Sequence, residues 1–276
     1  MRRFGLLGEF LSHSYSPLIH AELGDYEYKL YEKKPDELDV FFKSGEFDGL
    51  NVTVPYKKEA VKYCAALSET ARLNGSVNTV TRRLDGSLYG DTTDCFGFEY
   101  LMKKTAVRPS DGKIIILGSG GSSLAVQAAL RNMGAENIVV ISRSGEDNYE
   151  NIEKHGDAVM IINTTPVGMY PNNGDSPLAN LDIFSKCRAV VDLIYNPLRT
   201  KLLFLAKELG ISHINGLSML VAQAKRSAEQ FTQSSISDMK IETIISKIAR
   251  LKYNIVLIGM PGCGKSSIGA ALAEMT

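Results

Sequence analysis

The sequence predicts an α/β fold in two lobes, and three observations carry the prediction. From residue 113 onward, short apolar runs alternate with helical stretches, the pattern of a parallel sheet joined by helical crossovers. A turn cluster, Pro109-Ser110-Asp111-Gly112, divides that half from an N-terminal half with strands of its own. At 276 residues and 44% apolar, the chain is long enough to fill two cores.

The elements are predicted in order as follows. Residues 4–7 form the first strand, and 12–17 a loop of Ser, His and Pro. Residues 47–54 form a strand stopped by Pro55, which lacks the N–H a central ladder needs. Residues 59–67 read as a helix. Asn74-Gly75 signals a turn, 77–81 a strand, and Asp85-Gly86 a hairpin turn before Leu88-Tyr89. Past the turn cluster, strands are predicted at 113–117, 138–141, 158–162 and 189–194. Helices are predicted at 122–133 and 202–209, stopped by Gly134 and Gly210, and then at 219–231 and 236–251. A last strand, 254–258, precedes Gly259-Met260-Pro261-Gly262-Cys263-Gly264-Lys265-Ser266 and the start of a helix.

Charge and composition exclude several function classes. Lys plus Arg and Asp plus Glu balance at 31 each, which leaves no general field for nucleic acid or an anionic membrane. No apolar run reaches the length of a membrane span. The stretch after Met1-Arg2-Arg3 is broken by Gly8 and Glu9, so no signal peptide is expected. The four cysteines are scattered without a Cys-x-x-Cys pair, which reads as reduced thiols in the cytoplasm. The four histidines show no metal-ligand spacing, and His13 reads as structural. A small-molecule substrate is expected, on a monomer or homodimer.

Gly118-Ser119-Gly120-Gly121-Ser122-Ser123 follows a predicted strand and opens a predicted helix. In that context it reads as a dinucleotide-binding turn, beside the plainer reading of a tight strand-to-helix turn. Gly118 permits the turn, and Gly120 lets backbone approach a pyrophosphate. The helix N-terminus offers N–H groups and a positive dipole end. Ser123, in place of a third glycine, is small enough to keep helix and strand close. The next strand ends in Ser142-Arg143-Ser144, where an NAD enzyme would place a carboxylate. A guanidinium flanked by hydroxyls suits a 2′-phosphate, so the expected cofactor is NADP.

Seven phrases together resemble the shikimate dehydrogenase family. They are Ser12 to Pro17, Asn51 to Lys57, Gly75 to Thr79, Gly90 to Asp94, Gly118 to Ser123, Ile162 to Gly168 and Gly216 to Ala224, in the family's order across residues 1 to 245. The resemblance implies an N-terminal α/β substrate domain, residues 1–104, completed by helices within 216–250. It also implies a Rossmann-like NADP-binding domain, 105–215, with the active-site cleft between the two. The activity implied is NADPH-dependent reduction of 3-dehydroshikimate to shikimate, on the route to chorismate and the aromatic amino acids.

Ketone reduction needs a hydride donor and a proton donor at the oxygen. By resemblance, Lys57 and Asp94 are the catalytic pair. Read locally, Lys57 is a solvated lysine and Asp94 the N-cap of a helix running from residue 95 to 103; capping and catalysis can coexist. The resemblance assigns Ser14 and Ser16 to the substrate carboxylate, with Tyr195 nearby. It assigns Thr53, Asn78, Asp94 and Gln223 to the ring hydroxyls, where neutral donors and acceptors suit a polyol. On the cofactor side it adds Asn163, Thr164 and Thr165, with Gly216 and Met219 near the nicotinamide. The sequence departs from the family at Thr92 and Ser142, where Asn is usual. Residues 143–162 are too few for the usual helix and additional strand.

Gly259 to Ser266 fits a P-loop and resembles the start of shikimate kinase, a fusion that makes pathway sense. Residues 251–276 hold no Walker-B acid and no partner strands, so a truncated stub without kinase activity is expected. Competing readings are a quinate/shikimate dehydrogenase using NAD, a kinase, and a catalytically silent dinucleotide-binding module.

Overall fold

The computed structural model describes residues 2–12, 14–252 and 256–275. His13 and the first two residues of the predicted strand 254–258 lie outside the described residues.

The N-terminal part comprises β1 (Arg3–Gly8), α1 (Ser16–Leu23), β2 (Glu27–Glu32), α2 (Leu38–Ser44), β3 (Gly49–Val52), β4 (Ala66–Leu67), α3 (Glu69–Asn74), β5 (Thr79–Arg82), β6 (Leu88–Asp91) and α4 (Asp94–Met102). Its strands form one sheet in the order β2-β1-β3-β5-β6-β4. β1 runs parallel to both β2 and β3, whereas β5 is antiparallel to both of its neighbours. Every residue of β3 is buried, as a strand covered on both faces must be.

The second sheet is parallel throughout. It is built from β7 (Ile114–Leu117), β8 (Ile138–Ile141), β9 (Met160–Asn163), β10 (Ala189–Asp192) and β11 (Ser212–Asn215), in the order β11-β10-β9-β7-β8. The connecting helices include α5 (Gly121–Asn132) and α6 (Lys201–Glu208). The chain moves outward from β7 to β8 and then returns to the other side of β7 with β9. That reversal opens a crevice beyond the C-terminal ends of β7 and β9, where open parallel sheets receive ligands.

α7 (Leu217–Thr232) and α8 (Met239–Lys252) then pack back onto the first part. α7 crosses α4 so closely that a Cβ on Gly97 would lie 2.7 Å from the Met219 carbonyl oxygen. α8 buries Ile241, Ile244 and Ile248 in a cluster with α1 and α7.

Several expectations are corrected. Residues 59–67 are not one helix: a short 3₁₀ turn, Glu59–Tyr63, is followed by β4. Ala65 and Ser68 donate their N–H groups to the Leu88 and Gly90 carbonyls, so sheet bonds to β6 win over helix propagation. The elements α1, β2, α2, α3 and β11 are additions; β2 (EYKLYE) and β11 (SHIN) are polar edge strands without the apolar signal of buried ones. The short stretch after β8 is as expected: residues 143–159 carry only a 3₁₀ turn, Ile152–His155, and a loop tied by Asn148, Asn151 and the Asp147–His155 contact. Val256 to Ile258 form no strand, and Val256, Ile258 and Met260 are exposed. α9 (Lys265–Met275) follows.

Candidate active site

Three chain segments converge beyond the strand ends of the first sheet. The turn after β3 carries Thr53 and Lys57, the approach to β5 carries Asn78, and the start of α4 carries Thr93 and Asp94. The Thr53 N–H is held by the Leu7 carbonyl, and the Lys57 carbonyl accepts from the Val77 N–H, so the first two segments are locked by backbone bonds. Lys57 Nζ stands 2.6 Å from Asp94 Oδ2. Asn78 Nδ2 donates to the other carboxylate oxygen at 2.8 Å. Asn78 Oδ1 accepts from the Thr93 N–H at 2.8 Å, which fixes the orientation of the amide.

Asp94 does not cap α4. It is the helix's first residue, the N-cap is Thr93, and no side-chain cap bond is present. The carboxylate is directed to Lys57 and Asn78 instead, while the positive end of the helix dipole favours its charge. The Lys57 side chain is 25% exposed and that of Asp94 14%, so the pair is shielded but reachable.

α7 completes this cluster. Gln223 Oε1 accepts from Thr93 Oγ1 at 3.3 Å and lies 3.4 Å from Asn78 Nδ2. Further along the same helix, Gln230 donates to Asp91 at 2.6 Å. Ser16 opens α1, and its N–H bonds Ser14 Oγ at 3.2 Å. Between them, the ring of Tyr15 meets that of Tyr195 at 5.4 Å, which brings the loop after β1 against the loop after β10. Burial raises the Tyr195 phenol, with the neighbouring Tyr15 adding to it.

The second sheet supplies the other half. Gly118 has φ +101, and a Cβ there would lie 2.9 Å from Thr165 Cγ2, so both backbone and packing demand glycine. Thr164 bonds the Leu117 carbonyl through its N–H and its hydroxyl, holding the turn after β9 against the turn after β7. Ser119, Gly120, Gly121 and Ser122 are exposed. At Gly120 and Gly121 an added Cβ would meet nothing within 4 Å, and Gly120 has an ordinary φ of −76. Neither strain nor packing requires glycine there. The first turn of α5 also has no side-chain cap. Open space before uncapped N–H groups fits an anionic cofactor whose phosphates need close backbone approach. Arg143 and Ser144 are exposed at the end of β8; Ser142 is half-buried beside Gly145.

Three residues expected on the cofactor side also have structural duties. Asn163 is fully buried, and its amide is spent on Asp192 and Thr165, so it supports the turn from beneath. Gly216 is buried with the Leu193 carbonyl where a Cβ would stand, so backbone packing explains that glycine. Met219 packs on the core of the second sheet. Sequence reasoning missed Thr93 and Asp192 as individuals. Asp192 had a signal, a carboxylate closing the apolar run Ala189-Val190-Val191.

Comparison with known proteins bears on the family and the fold. Residues 6–80 match the family model of the shikimate dehydrogenase substrate binding domain. The shikimate dehydrogenase (NADP(+)) of Clostridium beijerinckii is 36% identical over 262 residues, covering 87% of this chain and 95% of that protein. A chorismate mutase/shikimate 5-dehydrogenase fusion protein from Clostridium acetobutylicum superposes with a TM-score of 0.83 at 36% identity, covering 91% of this chain and 98% of the other. Shikimate 5-dehydrogenase from Thermus thermophilus, solved in complex with NADP(H) and shikimate, gives a TM-score of 0.79 at 30% identity, covering 90% and 99%. By sequence and by fold, the chain belongs to the shikimate dehydrogenase family.

Proposed function

We propose that the chain is an NADP-dependent shikimate dehydrogenase, reducing 3-dehydroshikimate to shikimate and running the reverse reaction when product accumulates. The observation that carries this reading is the Lys57–Asp94 pair, joined through Asn78 to Gln223 on the helix that leads back from the dinucleotide-type sheet. The membership of the family and the NADP(+) label of its relatives support it.

In this reading residues 1–104, completed by helices within 216–250, form the substrate domain, and 105–215 the cofactor domain. Gly118, Ser119, Gly120, Gly121 and Ser122 take the pyrophosphate on backbone N–H groups. Arg143, with Ser142 and Ser144, takes the 2′-phosphate. Thr164 and Thr165 line the crevice beside it. When bound, NADPH supplies the hydride. Ser14 and Ser16 donate hydroxyls to the substrate carboxylate, with Tyr195 alongside. Thr53, Asn78, Asp94 and Gln223 bond the ring hydroxyls. Lys57 Nζ donates to the ketone oxygen, stabilises the charge developing there and delivers the proton to it. Asp94 holds that ammonium in place, and Asn78 holds Asp94.

For residues 251–276 we keep the reading of a P-loop belonging to a kinase-type unit. It is supported by the Gly-x-x-x-x-Gly-Lys-Ser pattern and by Lys265 Nζ folding onto the Gly259 and Met260 carbonyls at 2.8 and 2.6 Å. The described part of that segment is largely exposed, and we expect no kinase turnover from it. No helix among the described residues is long and apolar enough to cross a membrane. The free thiols of Cys64, Cys95, Cys187 and Cys263 suit a reducing cytoplasm.

One spectrophotometric assay decides the function. Reduced-nicotinamide absorbance is expected with shikimate and NADP⁺. Faster turnover with quinate and NAD⁺ would replace this reading by a quinate-type one. Cofactor binding without any turnover would leave only a silent binding module.

A further inference from the structure

Asp192 is a carboxylate at the end of an otherwise apolar strand, and it is fully buried. An apolar side chain there would avoid the desolvation cost of an anion. Three donors from three different segments meet it instead. The Thr200 hydroxyl, which also caps α6, donates to Oδ2 at 2.6 Å. The Ile194 N–H, one residue before Tyr195, donates to Oδ1 at 3.1 Å. Asn163 Nδ2 donates to the same oxygen at 3.0 Å. The oxygen of the Asn163 amide accepts from the Thr165 N–H at 3.0 Å and the Thr165 hydroxyl at 2.7 Å. Thr165 in turn lies against Gly118 of the glycine turn. One polar path therefore runs from Asp192 to the cofactor-side turns, and another to the backbone that carries Tyr195.

We infer that Asp192 is a positioning residue that fixes the Thr164–Thr165 turn and the Ile194–Tyr195 loop in register, so that both are presented in the form that binds cofactor and substrate. This rests on the function proposed above. The carboxylate touches neither ligand; it acts through Asn163 on one side and the Ile194 N–H on the other. Its position explains why Asn163 is buried and why a charge persists beneath the crevice. Burial pushes the Asp192 carboxyl up to about 6, against the three donors, so above that value it is the all-acceptor anion that three donors require.

The test is Asp192→Asn in the full chain, which keeps the size but puts an N–H where a donor must be received. The KM for NADP⁺ is expected to rise about tenfold and that for shikimate about threefold, with kcat within about twofold, because Lys57 and Asp94 are held by segments of the N-terminal part, the turn after β3 and the start of α4. The Kd for NADP⁺ by calorimetry should rise in parallel. Both KM values unchanged, or a fall in kcat alone, would overturn the inference. If this variant does not fold, Thr200→Val removes one of the three donors, together with the cap of α6. It should raise the NADP⁺ KM about threefold, and an unchanged KM in the folded protein overturns the inference equally. A parent protein that binds NADP⁺ but oxidises no shikimate would sink the function proposed above. The calorimetric Kd of the variants would still decide the role of Asp192.

Discussion

Lys57 and Asp94 are separated by 37 positions in the chain, yet Nζ and Oδ2 stand 2.6 Å apart. The meeting is built by backbone. The Lys57 backbone is tied to Val77, Asn78 to Thr93, and Asp94 begins α4, so each partner springs from a fixed segment. Preorganisation of that kind is what a proton donor beside a developing charge requires.

Replacing the ammonium tests its role directly. Lys57→Ala is expected to lower kcat by about 10²–10⁴, the usual contribution of a general acid, while the Kd for NADP⁺ stays within about twofold. Undiminished turnover would remove Lys57 from the mechanism.

The pair should also behave as one unit. Asp94→Ala leaves Lys57 without its anion and removes the shortest of the Asn78 amide's bonds, so kcat should fall by a comparable factor. The double variant should be little worse than the worse single one, because both changes disable the same proton donor. Losses that multiply in a kinetic double-mutant cycle would mean the two act separately.

Gly120 separates a ligand requirement from a folding requirement. A Cβ there touches no protein atom within 4 Å. Gly120→Ala should therefore cost under about 1 kcal/mol in a denaturant melt, the small preference for Gly over Ala at an N-cap. The NADP⁺ Kd should rise about tenfold or more, since the methyl occupies the space a pyrophosphate needs. Equal affinity in parent and variant would show that no phosphate comes close at this residue.

Cofactor choice should rest on Arg143, exposed at the end of β8. Arg143→Ala should raise the KM for NADP⁺ about tenfold or more, the worth of a charge-assisted bond. The KM for NAD⁺ should barely change. Parallel rises for both cofactors would place the guanidinium elsewhere on the dinucleotide.

His20 should shape the acid limb of stability. It is stacked on Tyr28 with ring centroids 3.8 Å apart, and burial lowers its imidazole to about 3, opposed by a bond with Asn51. Between that value and the unfolded 6.5, the unfolded chain takes up a proton that the fold refuses. Stability is thus lost as pH falls through this window, at about 1.4 kcal/mol per pH unit for this group. Asp192, raised from 3.8 to about 6, acts in the opposite sense, since the fold binds its proton first. In His20→Asn, the dependence of unfolding free energy on pH between about 6 and 4 should change by about one proton relative to the parent. Identical slopes would mean His20 is protonated inside the fold.

Much of this was legible in the residue order. The Gly118 to Ser123 turn declares itself through its setting between strand and helix, and β8 through a run of four β-branched residues. The polar edge strands β2 and β11 were not legible, because a half-exposed edge has no apolar periodicity to read. The supporting roles of Asn163 and Gly216 were hidden for a related reason. Whether an amide faces a ligand or a buried carboxylate, and whether a glycine serves a turn or makes room for Leu193, depends on neighbours distant in sequence.

By itself, the sequence determined the α/β class, the site of the glycine turn and the place of Arg143 after β8, and through its ordered phrases the family. Local backbone preference and short-range spacing carry that information. Only the tertiary structure decided that Asp94 faces Lys57 instead of capping α4, and that Asp192 underlies both turns. Those outcomes follow from which segments the two sheets bring within hydrogen-bond reach, and no local pattern encodes a distance between residues so far apart in the chain.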